Sequence, residues 1–119
     1  MKVLITGGAG FIGSTVASKC VDAGIDVVIL DSLLTGRAEF ARRFPFYCGD
    51  IADEKLLDKV FADHSDIDAT VHCAALIVVG DSVSSPARYY ENNVSKSLTL
   101  VSSVLRNGCK RFVFSSSAA

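Results

Sequence analysis

The N-terminal segment Val3–Gly13 combines an apolar run, a glycine-rich turn and a helix start. Its glycines, Gly7, Gly8, Gly10 and Gly13, fit the pattern G-x-G-x-x-G and the related pattern G-x-x-G-x-x-G. Because glycine has no Cβ, such a turn lets the backbone approach a ligand closely. The helix that follows directs unpaired N–H groups and the positive end of its dipole at the same place. The segment therefore indicates a strand–turn–helix unit that can receive a phosphate group.

The surroundings of this turn decide its meaning, because a glycine cluster alone also occurs in loops that need positive φ angles. The apolar run 3–5 predicts a strand before the turn. Apolar residues at helical spacing predict a helix after it, which Gly24 can end. A second apolar run, 27–30, closes on Asp31. A strand, a glycine turn, a helix and an acid roughly 20 residues further on predict a dinucleotide-binding site.

Asp31 also discriminates between the two nicotinamide dinucleotides. A carboxylate at this position can accept hydrogen bonds from both ribose hydroxyls, whereas a 2′-phosphate would meet like charge. The sequence therefore favours NAD over NADP. Arg37 is the nearby residue that could instead contact a 2′-phosphate, although a position on the solvated loop 32–37 is favoured for it.

Composition narrows the functional classes. The 119 residues correspond to one domain, and a hydrophobic content of 50% fits a buried parallel sheet. With 12 basic and 13 acidic residues, we expect neither a nucleic-acid surface nor a polybasic membrane patch. No apolar run approaches the length of a membrane span and no signal-peptide pattern is present, so we expect a cytoplasmic protein.

The cysteines favour buried thiols over a metal site. Cys20, Cys48, Cys73 and Cys109 form no C-x-x-C pair and lie within or beside apolar stretches. We therefore expect no bound metal. For Cys73 alone, a catalytic thiol is the alternative, because this residue lies where a predicted strand ends.

Strand and helix patterns alternate along the chain. The predicted strands are 2–6, 26–30, 44–48, 69–73 and 110–115, and the predicted helices are 11–23, 54–63 and 86–107. Asp53 and Ser85 are the expected N-caps of the second and third helices, and 31–43 is expected to be mostly loop. This alternation predicts an α/β fold: a Rossmann-type, doubly wound parallel sheet of order 3-2-1-4-5 with helices on both faces.

In such a sheet the carboxyl ends of the strands share one edge, where ligands bind. Asp50 and Ile51 follow the third strand and suit an adenine ring, the acid accepting from the exocyclic amine and the isoleucine covering the ring face; alternatively Asp50 caps the next turn. Ala74 and Ala75 follow the fourth strand, where small side chains admit a cofactor or allow tight packing.

Two further positions face this edge. Asn93 is a polar residue on the inward side of the third helix, so its amide needs partners and should bridge the backbone of a neighbouring strand. The run Ser115–Ser117 ends the last strand and could bind a substrate hydroxyl or the nicotinamide, or it could simply form a turn. Ser117 lies furthest toward the ligand.

Over essentially its whole length the chain resembles the N-terminal half of an extended short-chain dehydrogenase/reductase, and most of all the UDP-glucose 4-epimerase branch of that superfamily. The segments that carry the resemblance are 6–14, 30–31, 49–51, 72–75, 79–83, 86–94 and 114–119. Val79–Val83 and Tyr89–Val94 are more specific than the glycine motif. Related dehydratases usually carry Thr-Asp-Glu where this chain has three serines.

The resemblance implies a role for each site residue. It places the pyrophosphate on Gly7, Gly10, Phe11, Ile12 and Gly13, the adenine ribose on Asp31 and Ser32, and the adenine on Asp50 and Ile51. It places the nicotinamide side near Cys73, Ala74 and Ala75 with Asn93 in support, and the sugar 4-hydroxyl on Ser117. It implies interconversion of UDP-glucose and UDP-galactose through a 4-keto intermediate, with bound NAD taking and returning the hydride. A non-catalytic NAD-binding fragment, or another nucleotide-sugar modifier such as a UDP-uronate epimerase, is the alternative.

The chain departs from this pattern in two respects. Ile77 stands where the epimerases carry a lysine that reaches the cofactor phosphates. None of the tyrosines has a lysine four positions later, as the superfamily's catalytic base requires; the residues found there are Ile51, Asn93 and Val94. We expect the substrate domain to be absent from this chain as well, and the chain by itself to be inactive. If the family's sixth strand is absent, the fifth strand, Arg111 to Ser115, is an open apolar edge, which predicts self-association. The resemblance places part of the family's homodimer helix within 86–107.

Overall fold

Five parallel strands form one sheet in a computed structural model that describes residues 1–116. The strands are β1 (Lys2–Thr6), β2 (Asp26–Asp31), β3 (Phe46–Cys48), β4 (Ile67–His72) and β5 (Arg111–Phe114). Their order is β3-β2-β1-β4-β5, and every neighbouring pair is parallel. The predicted α/β class, strand order and Rossmann-type topology are therefore confirmed.

Helices connect the strands. They are α1 (Phe11–Asp22), α2 (Ala38–Ala41), α3 (Glu54–Asp63), α4 (Val79–Ser84), α5 (Pro86–Tyr90) and α6 (Lys96–Arg106), with a π-helical turn at Glu91–Ser95 between the last two. In the part of the chain that the structure describes, none of them has the length and hydropathy of a membrane-spanning helix.

The core lies on both faces of the sheet. Leu4, Val28 and Leu30 point to one face, where they pack with Leu57 of α3 and Leu100 of α6. The alternating strand positions point to the other face and pack against α1 and α2; they include Val3, Ile5, Val27 and Ile29, with Ala17 and Ala41 from the helices. Since successive strand residues face opposite sides, a strand buried on both faces is apolar throughout.

Several local predictions need correction. Cys73 lies just after β4, which begins two residues earlier than predicted. The third strand begins at Phe46 rather than 44, because Pro45 has no N–H to donate to a neighbouring strand. Asp53 is confirmed as an N-cap, since its Oδ1 accepts from the N–H of Leu56 at 3.1 Å. Ser85 precedes α5 but makes no side-chain capping bond within residues 1–116.

The prediction of one continuous helix over 86–107 is wrong. The π-helical turn interrupts it, and α4 precedes it where no helix was predicted, because Val, Gly and Ser are weak helix formers. A π turn holds one residue more than an α-helical turn and shifts the faces of the helix beyond it. In this region Leu100 and Val104 are buried, whereas Tyr90, Val94, Leu98 and Leu105 are exposed.

Candidate functional site

The carboxyl ends of the strands are joined to each other by backbone hydrogen bonds. The N–H of Gly7 donates to the carbonyl of Leu30 at 2.9 Å, and the N–H of Gly49 donates to that of Asp31 at 3.1 Å. On the other side of β1, Cys73 donates to Thr6 and Ser115 donates to His72, both at 3.0 Å. The structure therefore brings the predicted site segments together along one edge.

The glycine turn requires the absence of side chains at two of its positions. Gly7 has a φ of 72°, a left-handed conformation, and a Cβ there would lie 2.7 Å from the backbone nitrogen of Ala74. A Cβ on Gly13 would lie 2.2 Å from the carbonyl oxygen of Gly7. The start of α1 thus packs directly on the turn, and the turn packs directly on the segment after β4.

The start of α1 leaves backbone donors available. Gly10 is the N-cap residue and supplies no side-chain acceptor. The first N–H groups of a helix have no acceptor within it. Phe11 and Ile12 are 83% and 56% exposed, so the side of the helix start that they form is open to solvent. A helix start of this kind suits a phosphate, and the pyrophosphate contact of Gly10, Phe11, Ile12 and Gly13 stays a prediction.

Asp31 is buried at 8% exposure and organises the loops on both sides of it. Its Oδ2 accepts from the N–H of Ala9 in the glycine turn at 3.0 Å, and its Oδ1 accepts from the N–H of Leu33 at 2.7 Å. Leu33 has a φ of 62°, a strained value for a branched side chain that this bond helps to hold. The ribose contact of Asp31 stays a prediction, to which the structure adds a role in fixing the turn.

The residues after Asp31 are more exposed. Ser32 is exposed, and its Oγ accepts from the N–H of Leu34 at 3.4 Å. Arg37 donates its backbone N–H to the carbonyl of Ala9 at 2.9 Å. Its guanidinium pairs with Glu39 in solvent, with an N–O distance of 3.5 Å. The backbone of Arg37 thus supports the turn, while its side chain occupies the solvated position that the sequence favoured.

Asp50 has partners that the sequence did not reveal. Its Oδ1 accepts from the N–H of Ala52 at 2.8 Å, and its Oδ2 accepts from the ammonium of Lys96 at 2.5 Å. Burial by itself would raise the pKa of Asp50, but the bonds from Lys96 and Ala52 outweigh it and the pKa is lowered. The turn-capping alternative for Asp50 is therefore present, and the carboxylate retains lone pairs for a further donor.

Ile51 differs from its expected placement. Its side chain is 7% exposed and packs in the core with Leu57 and Leu100. The Ile51 side chain presents little surface with which to cover an adenine ring, because it is buried between the sheet and its helices. What Ile51 offers at the sheet edge is its backbone.

The segment after β4 carries small side chains. Cys73 and Ala74 are partly buried and Ala75 is exposed. The close approach of Gly7 to Ala74 supports the tight-packing reading of the small residues here. Burial raises the pKa of the Cys73 thiol, which disfavours the thiolate that a nucleophile would need.

Asn93 bridges to this segment as predicted for a buried amide. Its Oδ1 accepts from the N–H of Leu76 at 2.9 Å, and its Nδ2 donates to the carbonyl of Leu76 at 2.8 Å. The partner is the loop after β4 rather than the strand itself. The π-helical turn that carries Asn93 is a feature often found at functional positions, and it holds this loop at both backbone groups of one residue.

His72 is a central residue that sequence reasoning missed. It is 2% exposed, and its Nδ1 and Nε2 lie 2.6 Å from the Thr6 hydroxyl and 2.9 Å from the Ser97 hydroxyl. Ser97 donates its proton to the carbonyl of Asn93 at 2.9 Å, so it must accept from Nε2–H, and Thr6 must donate to Nδ1. Burial lowers the pKa of His72, which keeps this neutral form.

The network of Thr6, His72, Ser97 and Asn93 thus links the end of β1 to the loop after β4. A histidine within a predicted buried strand was the signal that could have revealed it, since a buried imidazole needs partners on both nitrogens.

The remaining predicted residues lie at the periphery. Ser115 and Ser116 are exposed beyond β5, and Ile77 is 83% exposed. Ser117, the predicted sugar-binding residue, lies outside the described residues. A separate cavity of about 460 Å³ opens between α1 and α2 and is lined by none of the predicted site residues.

Comparisons with known proteins agree on one family. A family model described as NAD dependent epimerase/dehydratase matches residues 3–119. The chain is 46% identical over 119 residues to a UDP-glucose 4-epimerase of Halalkalibacterium halodurans, covering 100% of this chain and 35% of that protein. It is 49% identical over 119 residues to a UDP-glucose 4-epimerase of Azospirillum brasilense, covering 99% and 34%.

A solved structure gives the same picture. The UDP-glucose 4-epimerase of Stenotrophomonas maltophila, crystallised with NAD and formylated UDP-arabinopyranose, superposes with a TM-score of 0.93 at 38% identity. The match covers 99% of this chain and 37% of that one. The chain therefore spans about a third of the length of the relatives that it matches.

Proposed function

Since this chain belongs to the NAD dependent epimerase/dehydratase family, we propose that it holds NAD along the carboxyl edge of its sheet, as the cofactor-binding part of a nucleotide-sugar 4-epimerase. The observation that carries this proposal is the start of α1, which packs so closely on the glycine turn that a Cβ at Gly13 would lie 2.2 Å from the carbonyl oxygen of Gly7. First-turn amides without an acceptor in the helix, near the buried carboxylate of Asp31, suit a diphosphate followed by a ribose.

The proposed placement follows the strand order. The pyrophosphate lies against Gly7, Gly10, Phe11, Ile12 and Gly13. The adenine ribose contacts Asp31 and Ser32, and the adenine contacts Asp50 and the backbone of Ile51. The nicotinamide side passes Cys73, Ala74 and Ala75 over the loop that Asn93 supports. The carboxylate of Asp31 favours NAD over NADP, because a 2′-phosphate would face like charge.

The proposed substrate is a UDP-sugar, as in the relatives named above, and Ser117 would bind its 4-hydroxyl. When bound, NAD would supply a reversible hydride acceptor for that carbon. The residues of this chain bind and orient, but none of its three tyrosines has the lysine partner of the superfamily's base. We therefore expect turnover only when such a base is present in the same protein.

A fluorescence titration with NADH tests the proposal. Gly10→Ala adds a Cβ 3.3 Å from the carbonyl oxygen of Gly7, a tight contact without overlap, and we expect its methyl group to crowd the amides of the turn. Gly80→Ala is the matched control, because a Cβ there meets nothing within 4 Å. We expect saturable NADH binding by the unaltered chain and by Gly80→Ala, and an affinity at least about tenfold weaker in Gly10→Ala.

Circular dichroism must show that all three proteins are folded. Failure of the folded, unaltered chain to bind NADH at millimolar concentration would contradict the proposal. Equal binding by Gly10→Ala would contradict the proposed role of the glycine turn in binding the dinucleotide. NADPH binding as tight as NADH binding would contradict the selectivity assigned to Asp31.

We also propose that the protein forms a homodimer through the exposed apolar stripe of Tyr90, Val94, Leu98 and Leu105, which are 71%, 48%, 64% and 53% exposed. Exposed apolar side chains that recur along a helical segment commonly pack against a second copy of that segment. Leu98→Glu should give a monomer in sedimentation velocity. Ala62→Glu, an equal charge change at an exposed position of α3, should not. Dimers of Leu98→Glu as stable as those of the unaltered chain would exclude this stripe.

A cytoplasmic location is part of the same proposal. Its support is that Cys20, Cys48, Cys73 and Cys109 are all free thiols, as is usual in reducing compartments.

A further inference from the structure

Lys96 forms an ion pair at the sheet edge that neither the sequence pattern nor the proposed function accounts for. It is the first residue of α6, and its Nζ lies 2.5 Å from Oδ2 of Asp50, 46 positions earlier in the chain. Its side chain is 27% exposed, against 62% for Lys59, which pairs with Asp63 on the surface. Partial burial strengthens such a pair relative to an exposed one.

The pair fixes the carboxylate of Asp50 as well as its charge. Oδ2 accepts from Lys96 and Oδ1 accepts from the N–H of Ala52 at 2.8 Å, so both oxygens are held and the carboxylate plane cannot rotate freely. Within residues 1–116, Lys96 is the charged group that faces Asp50. A carboxylate in this state only accepts hydrogen bonds, through its remaining lone pairs.

We propose that Lys96 is a positioning residue for purine specificity: by holding Asp50 as a fixed, ionised acceptor, it selects a purine with a 6-amino group over one with a 6-oxo group. This inference rests on the proposed placement of adenine at Asp50. Adenine presents two N–H donors at position 6, whereas hypoxanthine presents an acceptor oxygen there. That oxygen would face the lone pairs of Asp50, so two acceptors would meet without a proton between them and the 6-oxo purine would bind less tightly.

The ionisation of Asp50 agrees with this reading. The pKa of Asp50 is lowered although burial alone would raise it, and the bond from Lys96 is the largest opposing contribution. Loss of Lys96 would leave burial less opposed, so the protonated acid, which can donate to a 6-oxo group, would gain population as the pH falls.

Calorimetric titration with NAD and with nicotinamide hypoxanthine dinucleotide tests the proposal at pH 8 and at pH 5.5. For the unaltered chain we expect at least tenfold tighter binding of NAD at both pH values. Lys96→Met should reduce the ratio of the two affinities, NAD over the hypoxanthine dinucleotide, at least threefold at pH 8 and further at pH 5.5. Lys96→Arg should restore this ratio. Lys59→Met is the matched control: it removes a lysine ion pair elsewhere and shares every other titrating group, so its ratio should stay unchanged.

The outcomes separate this inference from the function on which it rests. Binding of neither dinucleotide by the unaltered, folded chain would overturn the proposed function and the inference with it. Binding of NAD with an equal ratio in the unaltered chain and Lys96→Met would overturn the inference alone. Equal weakening of both dinucleotides in Lys96→Met would also overturn it, because Lys96 would then act as a general cation toward the diphosphate.

Discussion

The glycine turn after β1 and the loop after β4 line the same edge of the sheet, but different interactions hold them. The turn is fixed mainly by backbone: Gly10 donates to Gly7 at 3.0 Å, and the absence of a Cβ lets Gly13 pack on the carbonyl of Gly7. The loop is fixed by side chains from elsewhere, with Asn93 holding Leu76 and His72 joining Thr6 to Ser97.

This difference determines how each region should respond to substitution. In the turn, a side chain added at Gly7 or Gly13 collides with backbone that cannot move away, so the cost is steric and large. In the loop, loss of one polar partner leaves another unsatisfied, so the cost is smaller and confined to the network. Three predictions test this contrast, beginning with the largest effect.

Gly13→Ala should be the most destabilising of these substitutions. The new Cβ would lie 2.2 Å from the carbonyl oxygen of Gly7, so α1 must separate from the turn. We expect the free energy of unfolding in urea to fall by about 3 kcal/mol or more. Gly80→Ala, also within a helix but with open space around its Cβ, should be neutral or slightly stabilising. A Gly13→Ala protein as stable as Gly80→Ala would refute the steric account of the turn.

His72→Asn should have an intermediate effect and change the pH dependence of stability. Removal of the imidazole leaves Thr6 or Ser97 without its partner, at a cost of about 2 kcal/mol near pH 8. In the unaltered protein the folded-state pKa of His72 is lowered by burial. Its contribution is therefore complete above the unfolded value of about 6.5 and is lost as the pH falls below it, by up to about 1.4 kcal/mol per pH unit.

Urea unfolding between pH 5 and pH 8 measures this slope. His72→Asn should flatten it, whereas His64→Asn, which alters the partly buried histidine beside Lys2, should leave it in place. If the slope disappears with His64→Asn instead, the pH dependence comes from His64, and the prediction for His72 is wrong.

Asn93→Ala should have the smallest effect on global stability, about 1 kcal/mol, and a clear local effect. The N–H of Leu76 would lose its acceptor, so its hydrogen exchange should accelerate by about tenfold. Asn92→Ala is the control, because Asn92 contacts Asn93 but not Leu76. Unchanged exchange at Leu76 in Asn93→Ala would show that contacts other than the Asn93 side chain hold the loop, and the contrast with the glycine turn would be lost.

The features predicted correctly share one property, which is that they depend on short segments. Alternating apolar runs specified five parallel strands, and the spacing from Gly7 to Asp31 specified the turn and the acid beside it. The Asp53 cap needed only the residues that follow it. The errors arose where local preference was overridden, as in α4, or where one extra residue in a turn changed the facing of a helix, as at Glu91–Ser95.

What the sequence by itself determined is the backbone framework of the edge: which residues end the strands, where glycine is obligatory, and that an acid follows β2. What only the tertiary structure decided is the partner of each polar group, because Lys96 meets Asp50 across 46 positions and His72 meets Thr6 across 66. Helix and strand periods follow from bonds between near neighbours. Contacts between distant side chains follow from how whole elements pack, and no spacing along the chain encodes that distance.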